Sequence, residues 1–363
     1  MLMENGWGIL AAIDHEMTIW QFLSRNWAMM SIVVTFIATI AICCLVLGRY
    51  IRIMLNILKD TPPPLAMGPL DFQRIEGPVV EFRSFDGISL RGMFLYSDRS
   101  KPRKGMIVFC HEFASDMYSC ARYCRALLES GYDLFTFDFR GHGGSSCDEG
   151  YQPRQWVSDR DVNDAMGAIA FVEDHLESQK LPVEIGLFGI SRGAGAAILA
   201  SMRNPAVKAI VTDGLFSTDR TMEDLMRKWA SIFAKVRFVY ENHPPAFWRF
   251  LRWLLFIFVH RKFKCRYPSV RKGLRRMTPK PIFMIHGERD SYIPVEQAFF
   301  LLKNAPEPKS LWVVAGAKHN QGVIVSPHEY SGKTLGFFDH YLSGIVAKVD
   351  SRACGDTREE KTG

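Results

Sequence analysis

Six short, continuous apolar segments recur between residues 106 and 314, separated by polar stretches or by stretches with helical periodicity. Strands buried on both faces of a parallel sheet have this composition, because helices cover both sides of such a sheet. Repeated alternation of strand and helix predicts an α/β fold with right-handed crossover connections. The predicted strands are 106–110, 133–137, 183–188, 206–212, 281–285 and 310–314.

The segment before these strands has the pattern of a β-hairpin. Apolar and polar residues alternate on both sides of Asp86 and Gly87, and an Asp-Gly pair is a strong signal for a tight turn. Between the second and third predicted strands, apolar residues from Val162 to Leu176 recur at helical spacing, and Asp159 is well placed as the N-cap. These residues are predicted to form an amphipathic helix that covers the sheet.

Residues 29–48 form an apolar segment without a charge. At about 1.5 Å per residue, a helix of this length reaches about 30 Å, the hydrocarbon thickness of a bilayer. A cleaved signal peptide would have its basic region and short apolar core at the extreme N-terminus, whereas residues 1–28 precede this segment. We therefore predict an N-terminal segment, 1–28, followed by an uncleaved, single-pass transmembrane helix.

Basic residues flank this predicted span unequally. Arg49, Arg52 and Lys59 follow it, whereas Arg25 precedes it. The positive-inside rule therefore places the C-terminal side in the cytoplasm. The eight cysteines lack the spacing of a disulfide scaffold, which agrees with a reducing compartment.

The sequence favours neither a metal nor a nucleic acid as a partner. Cys120 and Cys124 lie one helical turn apart, but a metal site would need further ligands, so packing in a helix is the simpler interpretation. The formal net charge is +7, and basic residues concentrate in 249–276, interleaved with aromatic residues. No nucleic-acid-binding motif accompanies them.

The composition of the remaining residues predicts a linker, an α/β domain with an inserted cap, and a tail. Consecutive prolines at 62–64 cannot continue a helix, so residues 49–70 are predicted to be a linker before an α/β domain over 71–348. Residues 215–276 are far longer than a usual connection between strands and are predicted to form an inserted helical cap. The polar residues 349–363 are predicted to be a disordered tail.

A G-x-S-x-G pentapeptide, Gly189 to Gly193, stands directly after the third predicted strand, and the small residues 194–201 that follow it favour a helix. A serine at the centre of such a tight strand-to-helix turn has its hydroxyl lifted out of the sheet. Glycines on either side avoid the clashes that Cβ atoms would create. Ser191 is therefore the predicted nucleophile.

With this motif in this setting, the chain resembles the α/β-hydrolase superfamily over residues 78–345. The resemblance implies the α/β-hydrolase fold, with a mostly parallel sheet and helices on both faces. It also implies an acid after a later strand and a base after the last strand, and Asp290 and His319 occupy those places. Asp213 and Asp219, after the fourth strand, are the alternative acids.

These residue types suit nucleophilic catalysis. A serine hydroxyl is a poor nucleophile until an imidazole removes its proton, and the imidazole needs a carboxylate to fix its tautomer and stabilise its cation. Ser191, His319 and Asp290 can fill these three roles. The mechanism needs no metal or organic cofactor, because water is the second substrate.

Two backbone amides are expected to form the oxyanion hole, those of Arg192 and Phe113. In the family the loop of Phe113 commonly reads His-Gly-x, whereas here it reads His111-Glu112-Phe113. Either Glu112 points outward, or its charge disfavours an anion nearby. His111 is expected to brace the loop with a hydrogen bond.

Residues 137–145 resemble the D-x-R-G-x-G-x-S segment that follows the next strand of the same family. Its glycines permit a tight excursion near the active site. Asp138 and Arg140 are expected to brace one another. His142 is not the expected catalytic base.

The cap contains a strongly apolar stretch, 247–259, followed by cationic residues. Two interpretations remain open: a helix in the membrane interface, and a cap helix packed on the catalytic domain. Either way, an apolar lid over a serine nucleophile favours a small-molecule or lipid-like acyl substrate.

The sequence therefore predicts a membrane-anchored serine hydrolase that cleaves an ester or thioester with a hydrophobic acyl group through an acyl-enzyme. One alternative is a serine aminopeptidase-like amide hydrolase. The other is a catalytically silent α/β-hydrolase that serves as a binding protein.

Overall fold

The computed structural model describes residues 26–59, 73–233 and 244–343. The chain divides into two compact units, Met1–Leu58 and Lys59–Gly363. The second unit contains a sheet of eight strands in the order β1-β2-β4-β3-β5-β6-β7-β8. These strands are β1 (Val79–Arg83), β2 (Ser89–Leu95), β3 (Gly105–Cys110), β4 (Tyr132–Phe137), β5 (Ile185–Ile190), β6 (Val207–Asp213), β7 (Ile282–Gly287) and β8 (Lys309–Val314).

Strands β1 and β2 form the predicted hairpin, and β2 pairs antiparallel with β4. The turn closes at Gly87, whose φ of 90° suits glycine and whose amide donates to the carbonyl of Ser84. All pairings from β4 to β8 are parallel. The six predicted parallel strands are confirmed, with ends displaced by no more than two residues.

Helices cover both faces of the sheet, as predicted. In the second unit, the helices are α2 (Cys120–Glu129), α3 (Asp159–Ser178), α4 (Arg192–Ala200), α5 (Thr218–Phe233), α6 (Pro245–Phe263), α7 (Val270–Arg276), α8 (Val295–Asn304), α9 (Gly322–Val325) and α10 (Pro327–Tyr341). Apolar side chains of α3 and α4 belong to one core cluster, and those of α2 and α10 belong to another. Successive residues of β3, such as Ile107 and Val108, contribute to opposite clusters, because successive side chains of a strand point to opposite faces.

The N-cap of α3 is Ser158, so the assignment of Asp159 to that position was wrong. The Ser158 hydroxyl accepts a hydrogen bond from the amide of Asp161, and the Asp161 carboxylate accepts one from the amide of Ser158. This reciprocal capping box satisfies two amides at the helix start, whereas Asp159 lies inside the first turn and suits the helix dipole there.

The N-terminal unit contains helix α1 (Trp27–Lys59). Its segment Trp27–Asn56 has a mean hydropathy of 2.7, so by length and composition it could cross a membrane or act as a signal sequence. The helix is longer than the predicted span of 29–48, and residues 49–59, predicted as linker, are helical. Good helix formers such as Arg52, Met54 and Leu55 continue the helix here, and the first proline comes only at position 62. The rest of the linker, the N-terminal residues 1–25 and the tail 349–363 lie outside the described residues.

The described part of the cap region 215–276 is largely helical and contains α5, α6 and α7. One face of α6 packs inward through its buried residues Trp248, Leu255, Val259 and Phe263. The side chains of Phe250, Trp253 and Phe258 are 53%, 58% and 46% exposed. Helix α6 therefore packs against protein on one side and presents aromatic rings to solvent on another.

Candidate active site

Ser191 occupies a tight turn between β5 and α4. Its backbone has φ 52° and ψ −113°, a strained conformation for a residue other than glycine. A Cβ atom at Gly189 would lie 2.5 Å from the Cα of Ala194, and one at Gly193 would collide with the carbonyl oxygens of Cys110 and His111. The turn therefore requires both glycines, as the pentapeptide predicted.

The structure brings Ser191, His319 and Asp290 together in one hydrogen-bonded chain. The Oγ of Ser191 lies 2.8 Å from the Nε2 of His319, and the Nδ1 of His319 lies 2.5 Å from Oδ2 of Asp290. Ser191 is 7% exposed, and the side chain of Asp290 is fully buried. This arrangement fits an imidazole that donates from Nδ1 to the carboxylate and accepts the serine proton at Nε2.

Backbone groups hold the carboxylate of Asp290 in place. Its Oδ1 accepts hydrogen bonds from the amides of Tyr292 and Ile293, at 2.9 and 2.7 Å. His286 lies nearby, with its Nε2 3.5 Å from Oδ2 of Asp290 and 2.8 Å from the carbonyl oxygen of Ile293. Burial lowers the pKa of His286, so its neutral form is favoured.

Three parallel strands position these groups at one edge of the sheet. Ser191 follows β5, Asp290 follows β7, and His319 follows β8. Since the carboxyl ends of parallel strands meet at the same edge, residues far apart in sequence converge there. The site therefore sits where an open α/β sheet ordinarily binds its ligand.

The predicted oxyanion hole involves Arg192, the first residue of α4, and Phe113, in the loop after β3. Arg192 opens α4, so its N–H is one of the first-turn amides that have no partner within the helix. The side chains of the two residues are in contact, with the guanidinium carbon of Arg192 5.2 Å from the centre of the Phe113 ring. This arrangement is compatible with the predicted oxyanion hole.

The Arg192 side chain has a structural position that the pentapeptide did not reveal. It is fully buried, 3.5 Å from Asp161, and donates to the carbonyl of Arg154 at 3.2 Å. Its guanidinium carbon also lies 5.0 Å from the centre of the Phe139 ring. The arginine thus ties the serine turn to α3 and to the loop after β4.

Glu112 does not point outward, since its residue is 2% exposed. Burial raises the pKa of its carboxyl, and its Oε2 has no hydrogen-bond partner within the residues that the structure describes. Burial of a carboxyl with one unpartnered oxygen favours its neutral form. A neutral Glu112 opposes a nearby oxyanion less than a carboxylate would.

His111 has the bracing contacts that were predicted. Its Nδ1 lies 2.6 Å from the carbonyl oxygen of Glu112, and its Nε2 accepts from the amide of Phe139 at 3.1 Å. Burial lowers the pKa of His111 to about 3. A neutral imidazole therefore joins the loop after β3 to the loop after β4.

Asp138 and Arg140 do not brace one another, which corrects the prediction. The carboxylate of Asp138 accepts hydrogen bonds from the amides of Met117 and Gly144, at 2.7 and 2.8 Å. The fully buried guanidinium of Arg140 instead forms ion pairs with the carboxylates of Asp86, Asp148 and Asp164. Both side chains find partners from other segments, which the local spacing could not indicate.

His142 makes its hydrogen bonds away from Ser191. Its Nδ1 lies 3.1 Å from the carbonyl oxygen of Arg140, and its Nε2 lies 3.4 Å from the guanidinium of Arg192. Burial and the charge of Arg192 hold the pKa of His142 well below its ordinary value. Its surroundings therefore favour a neutral histidine, and the sequence analysis had not assigned it the role of catalytic base.

Neither alternative acid is bonded to the imidazole of His319. The carboxyl of Asp213 accepts from the hydroxyl of Tyr330 at 3.0 Å, and burial raises its pKa to about 7. The carboxylate of Asp219 accepts from the hydroxyls of Ser217 and Ser269 and pairs with Arg252.

Cys120 and Cys124 are buried in α2, where desolvation raises the pKa of both thiols. In the described ranges, no cluster of three or more potential metal ligands is found.

The eight-stranded sheet and the serine turn after β5 define an α/β-hydrolase fold. Residues 101–242 match the family model described as serine aminopeptidase, S33.

Two relatives and one solved structure illustrate this similarity. The chain is 25% identical over 245 residues to the uncharacterized protein YfhR of Escherichia coli K12, covering 66% of this chain and 72% of that protein. It is 23% identical over 264 residues to putative esterase/lipase 2 of Mycoplasma genitalium, covering 68% of this chain and 91% of that protein. The structure of the Pyrococcus furiosus esterase Pf2001 superposes with a TM-score of 0.55 and 22% identity, covering 78% of this chain and 98% of that chain.

Proposed function

We propose that this protein is a membrane-anchored serine hydrolase that cleaves an ester or thioester with a hydrophobic acyl group. One observation carries the proposal: the hydrogen-bonded chain from Ser191 Oγ through His319 to Asp290, with distances of 2.8 and 2.5 Å. A serine with an imidazole at its hydroxyl and a buried carboxylate behind the imidazole is arranged for nucleophilic attack.

The reaction would proceed in two halves. Ser191 Oγ attacks the acyl carbonyl carbon while His319 Nε2 takes the hydroxyl proton, and Asp290 stabilises the imidazolium that forms. The amides of Phe113 and Arg192 donate to the oxyanion. The imidazolium then protonates the leaving alcohol or thiol. In the second half, His319 removes a proton from water, which attacks the acyl carbon. The bond from the acyl carbon to Ser191 Oγ then breaks, and the imidazolium returns the proton to Oγ as the acid leaves.

Aromatic side chains near the imidazole support an apolar acyl group. The ring of Tyr292 packs edge-on against His319, with 5.2 Å between ring centres, and Trp156 lies 6.4 Å from Tyr292. Exposed aromatic rings of α6 add apolar surface on the cap. The names esterase/lipase in Mycoplasma genitalium and esterase in Pyrococcus furiosus also favour a carboxylic ester.

The membrane part of the proposal rests on α1. The segment Trp27–Asn56 exposes its apolar side chains, and a helix of this composition is stable when lipid surrounds it. Arg49 and Arg52 follow its most apolar part, so we propose a cytoplasmic catalytic domain.

An activity-based probe tests the serine chemistry without a guess about the substrate. The full chain in a nonionic detergent is treated with a fluorophosphonate, which labels only an activated serine. We expect labelling of the wild type and no labelling of Ser191→Ala. Ser201→Ala is the matched control. Ser201 is buried at the end of α4, where its hydroxyl donates a hydrogen bond to the carbonyl oxygen of Ile198. An unlabelled wild type would overturn the proposal and favour a silent binding protein.

The family description as serine aminopeptidase supports one second candidate, an amide hydrolase that acts on peptide N-termini. Nitrophenyl esters with acyl chains of two to twelve carbons and aminoacyl nitroanilides would be compared at equal concentration. We expect kcat/KM to rise with acyl chain length and to exceed that for every nitroanilide. A preference for a nitroanilide would replace the ester proposal with the peptidase.

A further inference from the structure

A cavity lies in the cap region, and Ser191 is not part of its wall. It has a volume of about 400 Å³, which is in the range of sites for small molecules. Its lining comes from α5, α6, α7 and α8 and includes five arginines and two carboxylates. The arginines are Arg220, Arg227, Arg249, Arg252 and Arg271, and the acids are Asp219 and Glu223.

The two carboxylates are already satisfied within the wall. The Nη1 of Arg252 lies 3.3 Å from Asp219 and 3.1 Å from Glu223. Asp219 also accepts from two serine hydroxyls, and Arg220 pairs with Asp224, outside the lining, at 3.2 Å. Arg220 and Arg252 are therefore largely neutralised by neighbouring acids.

The other three arginines of the wall differ in their surroundings. Within the described ranges, Arg227, Arg249 and Arg271 have no carboxylate within 4.0 Å. Arg227 lies over the ring of Trp248 at 5.4 Å, and Arg271 lies over the ring of Phe300 at 5.8 Å. These aromatic contacts orient the guanidinium groups without cancelling their charge.

Phe300 also holds Arg220, whose guanidinium carbon lies 5.6 Å from the ring centre. Two of the five arginines thus share one ring, and the other three line the same cavity. Cations gathered around one space repel each other, and an anion in that space relieves the repulsion. Guanidinium groups match the oxygens of a phosphate because they offer paired donors in a planar fork.

The surface of α6 beside the cavity indicates what kind of molecule would carry a phosphate bound there. Arg249 and Arg252 line the cavity, whereas Phe250 and Trp253, the next residue in each case, are exposed and stack with 5.9 Å between ring centres. Cations beside exposed aromatic rings suit an amphiphile, with its phosphate at the arginines and its chains against the rings.

We propose that this arginine cavity is a binding site for a phosphate group, and that its ligand is an anionic phospholipid. The cavity does not include Ser191, so the phosphate-binding proposal can be tested independently of the proposed hydrolase activity. Since α6 belongs to the cap, such a site would hold the cap against a membrane surface that carries anionic lipid.

Binding is measured on full-length Ser191→Ala in nonionic micelles, so that hydrolysis cannot alter the ligand. The micelles contain short-chain phosphatidic acid or phosphatidylcholine, and a separate arm adds inorganic phosphate. We expect saturable binding of phosphatidic acid, at least tenfold weaker binding of phosphatidylcholine, and a weaker response to inorganic phosphate.

The variant Arg249→Gln/Arg271→Gln is expected to weaken phosphatidic acid binding at least tenfold. Its matched control is Arg275→Gln/Arg276→Gln, which removes the same charge from exposed positions of α7 outside the cavity lining. Equal weakening by both variants would mean unspecific attraction and would overturn the site. Arg249→Lys/Arg271→Lys, which keeps the charge, should recover part of the affinity if the first variant remains folded.

Two further outcomes are decisive. Binding of inorganic phosphate as tight as that of the lipid would overturn the lipid assignment while supporting the phosphate site. Absence of binding in every arm, with normal fluorophosphonate labelling of the wild type, would overturn this site and leave the hydrolase proposal intact.

Discussion

The backbone amide of Ser191 donates a hydrogen bond to the carbonyl oxygen of Asp213, with 2.7 Å between nitrogen and oxygen. The proposed nucleophile is thus fastened to the end of the neighbouring strand, β6, and the turn keeps its strained backbone because the sheet holds it. The side chain of the same Asp213 is buried beside the site.

Asp213→Asn is expected to make stability less dependent on pH. Burial raises the pKa of Asp213 from 3.8 to about 7, so the folded protein binds this proton more tightly than the unfolded chain. In the wild type, the contribution of this proton to the free energy of unfolding is fully present below about pH 4. It is lost as the pH rises toward 7. At about 1.4 kcal/mol per pKa unit, the loss is a few kcal/mol. The asparagine side chain of the variant keeps an oxygen for the Tyr330 hydroxyl and carries no charge.

Urea unfolding at pH 5 and pH 8 measures this difference. The variant should gain stability relative to the wild type between the two pH values. A constant difference between variant and wild type would show that Asp213 does not titrate in this window.

Asp290→Asn should lower kcat by roughly 10³ to 10⁴, because an amide facing Nδ1 of His319 favours the wrong tautomer. The backbone amides of Tyr292 and Ile293 can still donate to the remaining oxygen, so the fold should persist. Ester hydrolysis and circular dichroism measure the two effects. Asp219→Asn is the control and should change kcat by less than tenfold. A larger loss in the control would reassign the acid.

Gly193→Ala should destabilise the protein by at least about 1–3 kcal/mol, as overpacking does, because its Cβ would meet the carbonyl oxygens of Cys110 and His111. Gly336→Ala is the comparison, since a Cβ there meets nothing within 4 Å and alanine favours the helix. Thermal unfolding should therefore show a lower midpoint for the first variant and an equal or higher one for the second. Equal midpoints would mean that the loops can separate at no cost.

Arg140→Leu should cost about 3–5 kcal/mol, because it leaves the fully buried Asp164 without its cation. Arg160→Leu removes a partly exposed partner of Asp86, at 3.0 Å, and should cost about 1 kcal/mol or less. Denaturant unfolding of both variants gives the comparison. A similar cost for the two arginines would contradict the importance of burial.

The full chain should remain in the membrane pellet after alkaline carbonate extraction, with an intact N-terminus by mass. Lysine in place of both Phe36 and Ile40, near the middle of α1, costs about 3 kcal/mol per residue in a bilayer and should release part of the protein. Lysine in place of Trp27, the first residue of the helix, should have little effect. A soluble chain that lacks its first residues would identify α1 as a cleaved signal sequence.

The sequence by itself determined the parallel core, the hairpin, the serine turn and the apolar N-terminal helix. Each is written in a local pattern: continuous apolar runs, an Asp-Gly turn, glycines at 189 and 193, and an uncharged segment. Such patterns report burial and backbone geometry over a few residues. The N-cap of α3 and the end of α1 were misjudged by the same local reasoning, since neighbouring residues compete for a cap and helix formers extend a span.

Only the tertiary structure decided which side chains meet. The bond between Ser191 and His319 joins residues 128 positions apart, and the choice of Asp290 over Asp213 depends on which carboxylate the sheet edge brings to the imidazole. The partners of Arg140 and the burial of Glu112 were likewise set by packing between distant segments. Spacing along the chain does not predict these contacts. Residues far apart in sequence come within hydrogen-bonding distance only when the chain is folded.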